Sequence, residues 1–137
     1  MKLAKNIRNT AVRVLQNEAE AIQNLIGYLD SDFEACVDKI LNSKGRVVTT
    51  GVGKSALIAN QIVATLNSTG TPAVFMHAAD AIHGDLGMVQ EEDIVICISK
   101  SGNTPEIKVL VPLLKKLGSV LVGMVSNTQS YLAEQSD

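Results

Sequence analysis

Residues 93–107 read DIVICISKSGNTPEI. From Ile94 to Ile98 every position is apolar, not every second one. That is the pattern of a strand covered on both faces, and so of a central strand in a parallel sheet. The run then gives way to Ser99, Ser101, Gly102 and Thr104, and a helical spacing begins at Pro105. Threonine followed by proline reads as a helix start. The hydroxyl caps, and proline takes the first helical position, where its missing N–H costs nothing. A buried strand, a short polar loop and a helix make up most of a βαβ unit.

The rest of the chain repeats this alternation. Residues 46–50 read as a strand, 54–67 as a helix, and 73–76 as a short strand after the turn at 69–72. Residues 104–116 read as a helix and 120–125 as a further strand. Strands alternating with helices imply a parallel sheet with right-handed crossovers, an α/β fold. Ahead of them, residues 7–28 have a helical pattern, with Leu15, Ala19, Ile22, Ile26 and Leu29 spaced four, three, four and three apart. This regular stripe suits helix–helix packing between subunits; covering a sheet is the alternative. A second helix is expected after Ser31 and Asp32 as cap, carrying Phe33, Val37, Ile40 and Leu41 inward.

Composition narrows the class. The 137 residues suffice for one sizeable core, and a net charge of −2 offers nothing to nucleic acid. No apolar run reaches the roughly 18 residues of a membrane span. The first residues have no apolar stretch ending in a small-residue cleavage site, so a cytoplasmic protein is expected. Cys36 and Cys97 lie apart in apolar segments and read as buried free thiols. Two Phe, two Tyr and no Trp leave the core to aliphatic side chains.

Two strand-to-helix loops have chemistry suited to an anion. In TTGVGKS, residues 49–55, glycines allow close backbone approach and the following helix start presents N–H groups. A nucleotide-binding P-loop needs a glycine five residues before Gly53, and that position is Val48, inside the strand. An NTPase is therefore disfavoured; a tight turn with an exposed Lys54 is the plainer alternative. In the second loop, Ser99, Ser101 and Thr104 suit a phosphate monoester, with no magnesium site required, although hydroxyl-rich loops often only cap helices.

Taken together, GVGKS (51–55), STGTPAVFMHAADAIHGDLGMV (68–89) and ISKSGNTPEI (98–107) resemble the sugar-isomerase (SIS) domain, specifically the arabinose-5-phosphate isomerases of the Kdo pathway. The likeness covers residues 45–125, and HGDLGMV is its most specific part. It implies a three-layer αβα sandwich with a flavodoxin-like parallel sheet, of whose five strands four fall in this sequence. It implies interconversion of D-arabinose 5-phosphate and D-ribulose 5-phosphate through a cis-enediol, feeding lipopolysaccharide or capsule synthesis. A non-catalytic module that senses a phosphosugar would carry the same phosphate loops. The domain would run over residues 45–137 and be incomplete at its C-terminal end, behind helices in residues 1–44. The fifth strand and two further family residues, a glutamate and a histidine, have no counterpart up to Asp137, nor has a paired CBS module. A piece of a longer enzyme is expected, with an unusual short form as the alternative.

The resemblance also implies roles. Gly53, Ser55, Ser99, Ser101, Gly102 and Thr104 match the phosphate cradle, while Lys54, His83 and Glu106 match catalytic positions. Lys54 would neutralise charge developing on oxygen. His83 would polarise the carbonyl or pass a proton between oxygens, and Glu106 would be the base, though a helix start lowers a carboxylate's basicity. An exposed lysine, a turn-capping histidine and a helix-dipole glutamate are the plain alternatives. His77 reads as structural. His77, His83 and Asp85 lack metal-ligand spacing, so no metal and no cofactor is expected. The expected partners are a sugar phosphate and further copies of the chain, a dimer of dimers, with no nucleic acid and no membrane.

Overall fold

The computed structural model describes residues 2–137. Two compact units divide the chain, Met1–Asp38 and Lys39–Asp137.

The first unit is helical. Helix α1 runs Lys2–Asn24, a 3-10 turn follows at Leu25–Tyr28, and α2 begins at Ser31 and runs to Asn42. The α-helix thus ends earlier than the stripe suggests. Ile26 lies in the tighter turn, and Leu29 is extended at φ −80°, ψ 90°. Gly27 accounts for this, since glycine is a poor helix former and a last turn readily tightens to 3-10. The cap of α2 is also one residue earlier than expected. Asp30 Oδ1 accepts the N–H groups of Asp32 and Phe33, both at 3.1 Å. Phe33, Val37 and Leu41 do not point inward: they are 51%, 47% and 80% exposed. Cys36 is only half-buried, though burial still raises its thiol pKa.

The second unit is the α/β part. Its strands are β1 (Val47–Gly51), β2 (Ala73–His77), β3 (Ile94–Ser99) and β4 (Val120–Val125). All pairings are parallel and the order is β2-β1-β3-β4. Helix α3 (Lys54–Ser68) connects β1 to β2, and α5 (Pro105–Leu117) connects β3 to β4. Between β2 and β3 the chain forms a short α4 (Ala78–Ala81) and a 3-10 turn (Asp85–Met88); α6 (Tyr131–Gln135) follows β4.

The side-chain alternation of the strands builds two cores, one on each face. On one face Val48, Val95, Cys97 and Leu121 meet Ile107, Leu110, Val111 and Leu114 of α5 and Leu132 of α6. On the other, Val47, Ile96 and Ile98 meet Ala59 and Val63 of α3, with Ile40 packed at the margin. The unbroken apolar run of β3 is explained: its odd and even positions serve different cores. Cys97 is fully buried, and burial pushes its thiol up to about 12, so it is an inert packing group at neutral pH.

One ion pair lies at the amino ends of β1 and β3. Asp93 is 1% exposed and sits 2.8 Å from Arg46 Nη2. It also accepts the backbone N–H groups of Arg46 and Gln90, at 2.8 and 2.9 Å. Arg46 Nη2 donates as well to the Met88 carbonyl, which ties the HGDLGMV segment to the sheet. Burial alone would raise the Asp93 pKa. The hydrogen bonds from Arg46 and Gln90 outweigh it and hold the carboxyl below its usual range. A depressed folded-state pKa stabilises above the unfolded value of about 3.9 and is lost as pH falls through the folded value. Asp93→Asn is therefore expected to cost about 1–2 kcal/mol at pH 7, since the Arg46 left behind is 36% exposed and stays solvated. Urea unfolding at pH 7 and at pH 3 tests this: the gap between variant and wild type should shrink at the lower pH.

Candidate functional site

The strand order reverses between β1 and β3, since the chain leaves β1 toward β2 and returns on the far side to form β3. Ligands in such sheets bind beyond the carboxyl ends of the strands at that crevice. A cavity of about 450 Å³ lies there, lined by Val52 and Ser55 after β1 and by Ile98, Ser99, Lys100, Ser101, Thr104 and Ile107 around the end of β3. Ser126 and Asn127, after β4, complete it.

The first loop is shaped by two glycines. A Cβ on Gly51 would come within 3.0 Å of the Ile98 carbonyl and of Ser55, so the β1 end, β3 and α3 can meet only there. Gly53 has φ 57° and ψ −124°, a conformation that side chains disfavour. Through this turn Ser55 is set half-buried on the cavity wall, while Lys54 is exposed and does not line it.

The second loop is a hydroxyl cluster. Ser99 is 3% exposed, and its Oγ lies 3.0 Å from Thr104 Oγ1 and accepts the Gly102 N–H at 3.1 Å. Thr104 therefore does not cap α5 with its side chain; its hydroxyl turns to Ser99 instead. Pro105 does occupy the first turn as expected. The Ser99–Thr104 pair has two hydroxyl protons and uses one between them, so one remains to donate to an anion. Ser101 Oγ accepts the Asn103 N–H at 3.2 Å and keeps its own proton to donate. The first intrahelical bond of α5 runs from the Lys108 N–H to the Thr104 carbonyl, so the amides ahead of it have no intrahelical acceptor. Hydroxyl donors and a helix start converge on one small cavity, which suits a phosphate group.

The loop is stitched to the segment after β4. Ser126 N–H donates to the Lys100 carbonyl at 3.1 Å and Leu132 N–H to the Gly102 carbonyl at 3.0 Å. Asn103 Oδ1 accepts the Tyr131 N–H at 3.3 Å. Gly102, at φ 65°, faces Ser130, whose Oγ and Cβ occupy the space a side chain would need.

Of the nine candidate residues, Ser55, Ser99, Ser101 and Thr104 line the cavity, and Gly53 and Gly102 shape its loops. Lys54, His83 and Glu106 do not line it. Glu106 is half-buried in the first turn of α5. His83 is exposed and donates its N–H to the Asp80 carbonyl. His77 Nδ1 lies 3.7 Å from Asp80 Oδ2, beyond hydrogen-bond reach, and its ring meets Phe75 edge-on. Among the described residues no group of His, Cys, Asp and Glu could hold a metal ion. Sequence reasoning missed Lys100, Ser126 and Asn127. The rule that ligands gather at strand carboxyl ends, applied to β4 as well, points to the last two.

A parallel sheet with this reversal and a hydroxyl-lined cavity beyond β1 and β3 defines a doubly wound α/β domain. The SIS domain family matches residues 39–137, and the chain belongs to that family. It is 41% identical over 139 residues to arabinose 5-phosphate isomerase KdsD of Pseudomonas aeruginosa PAO1, covering 100% of this chain and 43% of that protein. It is 45% identical over 130 residues to arabinose 5-phosphate isomerase KpsF of Escherichia coli O6:H1 CFT073, covering 93% of this chain and 40% of that one. The chain thus spans less than half the length of these relatives. A structure from E. coli CFT073 in complex with arabinose 5-phosphate superposes with a TM-score of 0.91 at 40% identity, covering 97% of this chain and 71% of that one. The sugar isomerase domain of an RpiR transcription factor from Sphaerobacter thermophilus shares the fold, with a TM-score of 0.76 at 21% identity, covering 93% and 72%. No described helix is long and apolar enough to cross a membrane.

Proposed function

We propose that this chain is the phosphosugar-binding part of a cytoplasmic aldose–ketose isomerase that interconverts D-arabinose 5-phosphate and D-ribulose 5-phosphate for Kdo synthesis. The observation that carries the reading is the cavity at the switch point, walled by Ser55, Ser99, Ser101 and Thr104. It occurs in a chain 41% and 45% identical to proteins named for this substrate. In the reaction a proton leaves C2 of the aldose and the carbonyl oxygen gains one, giving a cis-enediol; C1 then takes up a proton as the O2 hydroxyl gives one up, and the ketone forms at C2. Phosphate held in the cavity orients the sugar. Lys54 stabilises charge developing on oxygen, and His83 moves the proton between O1 and O2. Glu106 is the candidate base. Calorimetry with arabinose 5-phosphate, ribulose 5-phosphate and ATP, with and without magnesium, tests the binding half. Both sugar phosphates should bind, and magnesium-dependent ATP binding with no sugar-phosphate signal would overturn the reading. Interconversion followed by NMR tests the catalytic half.

One observation favours a second reading, a non-catalytic phosphosugar sensor: the three catalytic candidates stand outside the cavity wall. Tight binding without turnover in the full-length protein would select it.

We also propose self-association through the first unit, as a dimer of dimers. Leu15, Ile22, Ile26 and Leu29 are 65%, 69%, 68% and 59% exposed, an unusual amount of large apolar surface for one short segment. Changing Ile22 and Ile26 together to glutamate is expected to lower the mass seen in light scattering. An unchanged mass with circular dichroism intact would remove the helix from the contact.

A further inference from the structure

Lys100 sits between Ser99 and Ser101 in the hydroxyl loop, and it is the one residue with a chargeable side chain among those that line the cavity. A sugar phosphate carries nearly two negative charges at neutral pH. Against that, the cavity otherwise offers hydroxyls, amides and apolar side chains, all uncharged. The chain as a whole carries −2, so its overall field does not draw in an anion and a local cation is needed. Lys54, the other lysine in the two loops, does not reach the wall.

From this arrangement we infer that Lys100 is the phosphate-neutralising cation of the site and sets its preference for the dianion. The inference rests on the phosphosugar reading and adds a residue to it. The backbone supports it. The Lys100 carbonyl accepts the Ser126 N–H at 3.1 Å, and the Ser99 hydroxyl just before it is buried. Its carbonyl is thus tied down at the cavity rim, beside the buried Ser99, while the four-carbon stem is exposed. An ammonium on such a stem is a compact point charge that meets a phosphate oxygen without a demanding geometry. No ion pair engages Lys100 among the described residues, so binding an anion does not first break one. Lys108 gives the contrast: it lies over the Tyr131 ring, 5.9 Å from its centroid, and does not line the cavity.

The test is calorimetric titration of arabinose 5-phosphate and of inorganic phosphate into wild type, Lys100→Gln, Lys100→Arg and Lys108→Gln, at low and high salt. Lys100→Gln is expected to bind both anions about tenfold more weakly at low salt, the size of one partly solvated charge pair. Its affinity should also lose most of its salt dependence, because an exposed charge is screened within about 8 Å at physiological ionic strength. Lys100→Arg should restore binding, and Lys108→Gln should match wild type. The wild-type advantage should grow from pH 5 to pH 7 as the phosphate, with a second pKa of about 6, becomes a dianion. Lys100→Gln within twofold of a wild type that binds both anions overturns this assignment alone. An equal loss in Lys108→Gln also overturns it, since that would mark a general field effect. A wild type that binds neither anion overturns the phosphosugar reading, and the Lys100 role with it.

Discussion

Gly102→Ala is expected to abolish measurable sugar-phosphate binding and to lower stability by about 3 kcal/mol. Two costs combine. At φ 65° an alanine is strained by roughly 1–2 kcal/mol. Its Cβ would also overlap Ser130 Oγ and Cβ, and Ser130 is fully buried. Ser130 cannot simply turn away, because its Oγ caps α6 by accepting the Ala133 N–H at 3.4 Å, a bond type worth about 1 kcal/mol. Either the loop or the helix start must move. The Gly102 N–H is bonded to Ser99 and its carbonyl to Leu132 N–H, so a shift of the loop disturbs Ser99 and its bond to Thr104. Gly27→Ala is the control: a Cβ there meets nothing within 4 Å, and stability should hold or rise slightly. Urea midpoints and calorimetry on both variants give the answer. A Gly102→Ala protein with wild-type midpoint and affinity would mean that the loop tolerates a side chain and is not held as described.

What could be read from the sequence followed the strength of each local signal. The β3 run and the Thr104–Pro105 helix start are local, and both elements stand where expected. The role of the Thr104 hydroxyl was not legible. A cap and a bond to Ser99 need the same residue in the same place, and only the loop's closure brings Oγ1 to 3.0 Å from Ser99. Asp30, Ser31 and Asp32 are three consecutive residues able to cap, and nothing local chooses among them. Periodicity misled at Phe33 and Leu41, because it reports an apolar face and not what covers that face. Ser126, Asn127 and Ser130 reach the site only because β4 lies beside β3, a relation that local pattern does not encode. The same separation explains Asp93. Its tie to Arg46 spans 47 positions, and in the sequence it is only a charge ahead of a strand.

Lys54→Ala and His83→Ala are expected to lower kcat about a hundredfold in the full-length protein while changing KM little, and Ser101→Ala to raise KM with a smaller effect on kcat. The split follows from position. Ser101 lines the cavity proposed to take the phosphate, a group unchanged between substrate and transition state. A contact made equally in both states strengthens binding without speeding the chemical step. Lys54 opens α3 beside Ser55 of that wall, and the proposed reaction needs the reacting carbons of a phosphate-anchored sugar to reach it. Negative charge appears there only as the enediol forms. Losing a group that meets charge only at that point typically costs about 3 kcal/mol in the barrier. His83 precedes Gly84, at φ 137°, in an exposed turn that the Arg46–Met88 bond anchors from the far side. It can approach substrate without disturbing either core, so its removal should leave the urea midpoint unchanged. Steady-state rates with arabinose 5-phosphate, read beside direct affinities, separate the effects. If Lys54→Ala raised KM and left kcat alone, the lysine would be a ground-state phosphate ligand like Lys100. If neither variant changed either constant, both residues would be solvated surface groups and the proton chemistry would have to come from elsewhere, with Glu106 the first to test.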